Sequence, residues 1–427
     1  MRDMAHVVTF ESVIPMKNKD KIVSAVFSET AYEAIIPKEG ANPGRFYCFI
    51  EADSILPEDE PQWEFLRKRC YRENLHGFLI KPMKMGEKED GSPVRSWGLA
   101  IPVDELPITE GEKRRCKPGT DLTDALRIKK YEPVEDASPT KKNGGKFPPF
   151  IKFCFKVPFL KWIGNLYKKT HTNKGIDFPD KLISKSDETT IQNAKSFIYK
   201  FAQDSVIVTH KMEGQSCTAL IDPFNKDKFY VCSRNNGYLN KIDNDFWNTA
   251  IRLDIEKGLR KLLKSEGLYY IIQAEQCGPG IQNNIYHLSE VDWFVYTIKT
   301  YNPETKICRQ LSWDEMVSIC EKLNLRTVPL VGRFDRFDMI APDVETLVKF
   351  AENAFWKIGK NHVLEFNYQP KDGEKLWTDF AQSEGVVIRS EGYDKDRNIG
   401  FSCKVKNLPY AEKGLGAISQ IQWNVWC

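Results

Sequence analysis

The stretch Val206-Ile207-Val208-Thr209-His210-Lys211-Met212-Glu213-Gly214 decides how this chain reads. Four apolar or β-branched residues in a row predict a buried strand over 206–209. A lysine then stands at the strand end, followed two and three residues later by a carboxylate and a glycine. A lysine amine is a nucleophile only when neutral, and its ordinary pKa is about 10.4, so burial or a cationic neighbour has to lower it. Gly214, with no Cβ, lets the backbone come close to a phosphate. A four-residue pattern of this kind is also an ordinary surface turn, so the neighbouring sequence has to choose between the two.

Further fragments lie at the ends of strand-like runs downstream. Ser233-Arg234-Asn235 follows a run at 229–233. Glu275 ends a run at 269–274 and precedes Cys277-Gly278-Pro279-Gly280, and Tyr296 sits in the aromatic run 293–298. Glu384-Gly385-Val386-Val387-Ile388-Arg389 and Ser402-Cys403-Lys404-Val405-Lys406 close the set. Each has a plain structural reading: Arg234 as an ion-pair partner, Glu275 as a solvated strand end, Lys404 and Lys406 as one face of an edge strand. Their order and spacing together outweigh those separate readings.

Outward from this set, the 427 residues are enough for two or three domains. A net charge of +3 leaves no protein-wide basic field, so a nucleic-acid surface has to be a local patch. With 41% hydrophobic and 12% aromatic residues the chain is not a disordered one. No run of 18 apolar residues predicts a membrane span, and residues 1–10 lack the apolar core of a secretion signal. The 11 cysteines are scattered, without the short spacings of a zinc ribbon, and six dispersed histidines argue against a paired-histidine zinc helix. An odd cysteine count points to reduced thiols in an intracellular compartment, cytoplasmic or nuclear.

Three stretches follow. Residues 1–132 alternate short strands with Gly/Pro/Asn turns and predict a small closed barrel, able either to bind nucleic acid or to serve as a packing module. Residues 133–176 form a basic linker with nine lysines, no arginine and two acids, interleaved with Phe147, Phe150, Phe153, Phe155, Phe159, Trp162 and Tyr167. Its lysines could meet phosphates while its rings stack bases; equally, the rings could pack on a neighbouring domain with the lysines solvated. Residues 177–427 alternate helices and strands. Capping boxes are read at Thr189–Gln192 and Ser312–Glu315, one helix over Trp247, Ile251, Ile255 and Leu259, and another after Asp343. The fold class is α+β, with antiparallel sheets in the second domain.

The ordered fragments resemble the covalent nucleotidyltransferases: ATP-dependent DNA and RNA ligases and mRNA-capping guanylyltransferases. Within that superfamily, Phe178-Pro179, Ser186-Asp187-Glu188 and Ile191-Gln192-Asn193 resemble the segment that RNA ligases typified by the second ligase of phage T4 carry ahead of the nucleophile. Gln273-Ala274-Glu275 with Cys277-Gly278-Pro279-Gly280-Ile281-Gln282 resembles their third motif. DNA ligases and capping enzymes place an OB barrel after the last lysine motif, where this sequence has only residues 407–427. The expected barrel comes first, and residues 6–15 and 52–57 resemble the N-terminal OB domain of RNA ligases of the Naegleria and Deinococcus type.

The resemblance implies an OB-type β-barrel followed by an antiparallel-sheet nucleotidyltransferase domain, ATP-grasp-like. It implies an ATP-dependent RNA ligase, monomeric and not bound to membranes, sealing RNA with 3′-hydroxyl and 5′-phosphate ends, nicked or duplex. Lys211 is then the nucleophile that becomes lysyl-AMP. Arg234 contacts ribose or phosphate, Glu275 the ribose hydroxyls, and Tyr296 stacks on adenine; Glu213 and Gly214 complete the nucleotide site. Glu384 holds Mg²⁺ or Mn²⁺, Lys404 and Lys406 flank the α-phosphate and depress the Lys211 pKa, and Arg389 is a possible phosphate contact. Departures from the family pattern are Glu213 and His210 around the nucleophile, Thr297 where an aspartate is expected, and Ser216 where an asparagine is frequent. The alternatives are a DNA ligase, a capping-type transferase, or a nucleic-acid-binding module whose transferase has decayed.

Overall fold

The computed structural model describes residues 4–89, 91, 93–131, 176–180, 182–185, 188–239, 244–407 and 410. The basic aromatic linker therefore lies outside the described residues except for Ile176, as do Asp90, Ser92, Cys154, Ser186, Asp187 and Cys427. The chain divides into one unit of residues 1–134, 189–202 and 341–347, and a second of residues 135–188, 203–340 and 348–427.

The first unit is the expected barrel. A five-stranded sheet runs in the order Gly98–Pro102, Phe46–Glu51, Ala5–Ile14, Ile22–Phe27, Ala34–Pro37, beside a four-stranded sheet of Lys129–Lys130, Ser54–Pro57, Gly77–Leu79 and Tyr71–Arg72. The strand Ala5–Ile14 pairs with Phe46–Glu51 over its first half and with Ile22–Phe27 over its second. Its register shifts between Phe10 and Ser12, and such a bulge bends a strand enough to curl the sheet. Val7, Cys48, Ile50, Leu56, Trp63 and Phe78 fill the interior.

Residues 189–202 belong to this unit: Gln192 carbonyl oxygen accepts from Thr30 Oγ1 at 2.9 Å, and Lys195 Nζ donates to the Phe27 carbonyl at 3.2 Å. The helix expected there is a 3₁₀ turn Ile191–Asn193 and a short helix Ser196–Lys200, and neither has a side-chain cap. Thr190 and Gln192 are buried instead, so the polar signature of a cap was a packing contact. The capping box at Ser312 does form, with Ser312 Oγ accepting from the Glu315 amide and the Glu315 carboxylate accepting from the Ser312 amide. Asp343 also caps as expected, accepting from the Thr346 amide at 2.7 Å. The helix read over Trp247–Leu259 is two helices, Asp245–Arg252 and Ile255–Glu266, broken where Asp254 adopts φ 53°.

In the second unit an eight-stranded sheet centres on Gln215–Ile221, Tyr269–Cys277 and Asp292–Tyr301, all antiparallel. One face packs on the helices: Cys217, Ala219, Ile272, Ala274, Val295 and Ile298 meet Trp247, Leu259, Leu262, Met316 and Ile319. Strand alternation sends Ser216, Thr218, Gln273 and Glu275 to the opposite face. A second sheet holds Ser402–Lys406, Gly385–Ser390, Val206–His210 and Leu330–Phe334 in that order. The chain leaves this sheet at His210 and enters the first at Gln215, so residues 211–214 are the crossing.

Gly385 opens its strand at φ +149°, and a Cβ there would run into the Val405 carbonyl oxygen. Its own carbonyl accepts from the Lys211 amide at 2.9 Å. Gly385→Ala is expected to cost about 3 kcal/mol through strain and a displaced strand. A melting temperature equal to that of the unsubstituted protein would show that the strand yields without cost.

Candidate active site

Register alone brings three lysines to one face of the second sheet. Gly385 lies opposite Lys406, and Lys211 bonds back to Gly385. Val387 lies opposite both Lys404 and Thr209. Residues directly opposite in antiparallel strands share a face, as do residues two apart in one strand. Lys211, Lys404 and Lys406 therefore project on the same side.

The crossing 211–214 is held by its surroundings. The Glu213 amide donates to Tyr286 Oη at 3.0 Å, and its carbonyl accepts from Cys277 Sγ at 3.3 Å. Tyr410 Oη donates to Glu213 Oε2, while Glu213 Oε1 is buried and accepts no hydrogen bond from the described residues. A Cβ on Gly214 would meet the Gln276 carbonyl, Cys277 Sγ and the Glu275 side chain, so only glycine passes this close to the neighbouring strand. Met212 packs with Ile285, Tyr286, Trp356 and Tyr410 beneath the loop.

Lys211 Nζ lies 2.5 Å from Glu384 Oε2. Burial pulls the amine down, but Glu384, Glu275 and Glu213 outweigh it and hold the amine above its ordinary pKa. This reverses the expected depression by Lys404 and Lys406: the charges governing Lys211 are carboxylates. Burial raises Glu275 to about 7, helped by Glu384 and opposed by Lys211 and Arg234. Burial, then Glu384, raises Glu213 to about 7. Glu275 lies inside its strand rather than at its end, opposite Ser216, on the face away from the helices.

These three carboxylates interact and two are held back from full ionisation, one with an oxygen that has no partner among the described residues. A divalent cation suits such a site, since it relieves the repulsion and meets the unpartnered oxygen. No three His, Cys, Asp or Glu side chains converge on one point among the described residues, so the ion would keep phosphate or water ligands.

The two raised carboxyls set a pH dependence. Their unfolded value is near 4.5, so between there and about 7 the folded chain binds more protons than the unfolded one. Stability from these groups is therefore present at low pH and lost as pH rises through about 7. Glu213→Gln, which keeps an acceptor for Tyr410, is expected to flatten the fall in melting temperature between about pH 5 and about pH 8. An equally steep fall in the variant would place the titration elsewhere.

Tyr296 reaches the site through a bulge. Gln273 pairs with Thr297 and Ala274 with Val295, leaving Tyr296 unopposed. Two residues instead of one lie between the core-facing Val295 and Ile298, and the extra one re-aims the ring. Its hydroxyl meets Ser216 Oγ at 3.0 Å, and the Arg389 guanidinium lies 5.7 Å from the ring centroid.

Arg389 is not placed as a phosphate contact. It donates to the Tyr296 carbonyl at 2.5 Å, Thr297 Oγ1 at 2.9 Å and Ser402 Oγ at 3.1 Å, and pairs with the partly buried Glu188 carboxylate. Burial pushes the Glu188 carboxyl up, but Arg389 outweighs it and holds it below the ordinary range. With these donors used inside the protein, Arg389 is a tether between the two sheets that supports the bulge. Thr297 meets it with a hydroxyl, and the carboxylate comes from Glu188 instead. Lys404 acts electrostatically on Glu188, and Arg234 on Glu275.

Sequence reasoning did not reach Glu188 as a charge partner, nor Ser383, Asn367, Tyr286 or Tyr410. None has a spacing that marks it; each matters through a contact with a residue remote in the chain.

Residues 204–406 match the RNA ligase family, and residues 4–103 match an OB-fold domain family. No curated protein matches the chain. Among solved structures, the chain is similar to a lysine-to-alanine variant of the Naegleria gruberi RNA ligase with ATP and Mn: TM-score 0.67, 21% identity, 97% of this chain and 98% of that one covered. It is similar to the same ligase as a lysine-to-methionine variant with AMP and Mn (TM-score 0.66, 21% identity, 96% and 99% covered). A third likeness is to that ligase with pyrophosphate (TM-score 0.66, 21% identity, 97% and 99% covered). At this identity the likeness establishes the fold: an OB barrel followed by an antiparallel-sheet ligase domain.

Proposed function

We propose, for a chain whose residues 204–406 are an RNA-ligase-family domain behind an OB-fold domain, that it seals RNA with ATP through a covalent adenylate on Lys211. The observation that carries this is the Lys211 amine at the crossing of two sheets, on one face with Lys404 and Lys406 and against Glu384.

The amine has to be neutral to attack, and Glu384 Oε2 at 2.5 Å is the acceptor at hand for its proton. Lys211 Nζ then bonds to the α-phosphorus of ATP as the bond to the β-phosphate oxygen breaks, releasing pyrophosphate. Lys404 and Lys406 stabilise the charge that gathers on the α-phosphate oxygens. Glu275 accepts hydrogen bonds from the ribose, with Arg234 nearby, and Tyr296 stacks on the adenine. A divalent ion at Glu384, with Glu213 and Glu275 close by, supplies charge that screens the triphosphate.

In the second step an oxygen of an RNA 5′-phosphate attacks the lysyl-AMP phosphorus. The P–N bond breaks, the amine is restored and the 5′ end carries AMP through an anhydride. In the third a 3′-hydroxyl attacks that 5′-phosphate, closing the phosphodiester as AMP leaves. The OB domain, together with the basic linker, holds the RNA ends, which leads to binding that weakens with salt.

Incubation with α-labelled ATP and Mg²⁺ or Mn²⁺ should leave label on the denatured chain, and unlabelled nicked RNA duplex should then chase it off. No labelled chain with either metal would overturn the adenylate reading. Labelling from GTP in place of ATP would favour a capping-type transferase, and equal sealing of nicked DNA would remove the RNA preference.

A further inference from the structure

The residue before the nucleophile is a histidine that is 1% exposed. His210 Nε2 lies 2.8 Å from Asn367 Oδ1, and Nδ1 lies 2.6 Å from Ser383 Oγ. Asn367 Nδ2 donates to the Leu330 carbonyl at 2.8 Å, so its Oδ1 is the acceptor and His210 Nε2 carries the proton. Nδ1 therefore accepts from the Ser383 hydroxyl. The ring is neutral, because burial pulls its pKa down to about 4.

The three side chains have the make-up of a nucleophilic Ser–His–Asn set, yet Ser383 is also 1% exposed, which leaves a substrate no approach to its oxygen. What the arrangement does is join two segments. Ser383 precedes Glu384 as His210 precedes Lys211. The ladder between their strands ends with His210 opposite Val386, so Ser383 and Glu384 lie beyond it. Past that point the hydroxyl–imidazole bond adds to the Lys211 amide–Gly385 carbonyl bond and ties Ser383 itself to the lysine's strand. Ser383 is fixed in turn by its amide, which donates to the Ala354 carbonyl at 2.9 Å, and by its carbonyl, which accepts from Asn407 Nδ2 at 3.2 Å. His210 is fixed by its amide to the Pro329 carbonyl at 2.9 Å and by its ring, 5.0 Å from that of Phe366.

We propose that His210 is a positioning residue, which through Ser383 sets the Glu384 carboxylate against the Lys211 amine. This rests on the reading of Lys211 as the residue that takes the nucleotide. Ser383→Ala removes one oxygen; His210→Gln keeps a donor for Asn367 while giving up the ring nitrogen that Ser383 meets.

The test is single-turnover labelling with ATP and Mn²⁺, in which the amplitude counts competent molecules and the rate constant reports the geometry of those that are folded. Both variants should label about 10–100-fold more slowly at saturating ATP, since a misplacement near 1 Å costs up to about 10² in rate. The ATP concentration for half-maximal rate should stay within about twofold, and the double variant should be no slower than either single one, because both break one link. A merely structural role would lower amplitude or melting temperature and leave the rate constant alone, overturning the proposal. An effect confined to half-saturation, or additive losses, would do so as well. If the unsubstituted protein takes no label, the adenylate reading falls and this proposal with it. If it labels and Ser383→Ala labels equally fast, only the positioning role falls.

Discussion

Lys211→Ala is expected to take up no AMP from labelled ATP and to seal no RNA, while melting as a cooperative fold. The loss is complete because the proposed adenylate is made on that nitrogen, and neighbouring lysines on the same face lie on another strand. Removing the amine also leaves Glu384, Glu275 and Glu213 without the cation they share. The variant's loss of melting temperature should therefore be larger at about pH 8, where the carboxyls are ionised, than at about pH 6. Label persisting on the denatured Lys211→Ala chain would identify another nucleophile and overturn the motif register.

Glu384→Gln and Lys404→Ala should each slow labelling by about 10²–10³, the usual cost of removing one electrostatic stabiliser of a transition state. The two should differ in pH dependence. Glu384 is the largest influence raising the Lys211 pKa against burial. Without its charge the amine becomes neutral at lower pH, so the slower Glu384→Gln protein should reach its maximal rate at a more acid pH. Lys404→Ala leaves the Lys211–Glu384 pair in place, so its profile should stay closer to the parent's than that of Glu384→Gln. Near-parent rates in either variant would remove that residue from the site, and an unshifted Glu384→Gln profile would show that the ion pair does not govern the nucleophile.

Much of the site was legible because strands carry a simple code. The apolar run before Lys211, the glycine that ends the crossing and the alternate lysines 404 and 406 each read locally. Pairing then placed them together, as the rows Lys406–Gly385 and Lys404–Val387–Thr209 show. Local signals failed where a polar residue meets a partner far along the chain. Thr189–Gln192 looked like a helix cap and proved to be a buried contact with the barrel. Arg389 looked available for phosphate and proved to be bound by Glu188, some 200 positions earlier.

The sequence by itself determined the order of the two domains, the strand and helix content around the motifs, and which residue types could do phosphoryl chemistry. These follow from periodicity, turn chemistry and the valence of side chains, which need no knowledge of neighbours. Tertiary structure alone decided the protonation of Lys211, the values near 7 for Glu213 and Glu275, the bulge that turns Tyr296, and the link from His210 to Ser383. Each of those depends on burial and on charges or partners brought close by folding, and such energies change steeply over a few ångströms that sequence separation does not encode.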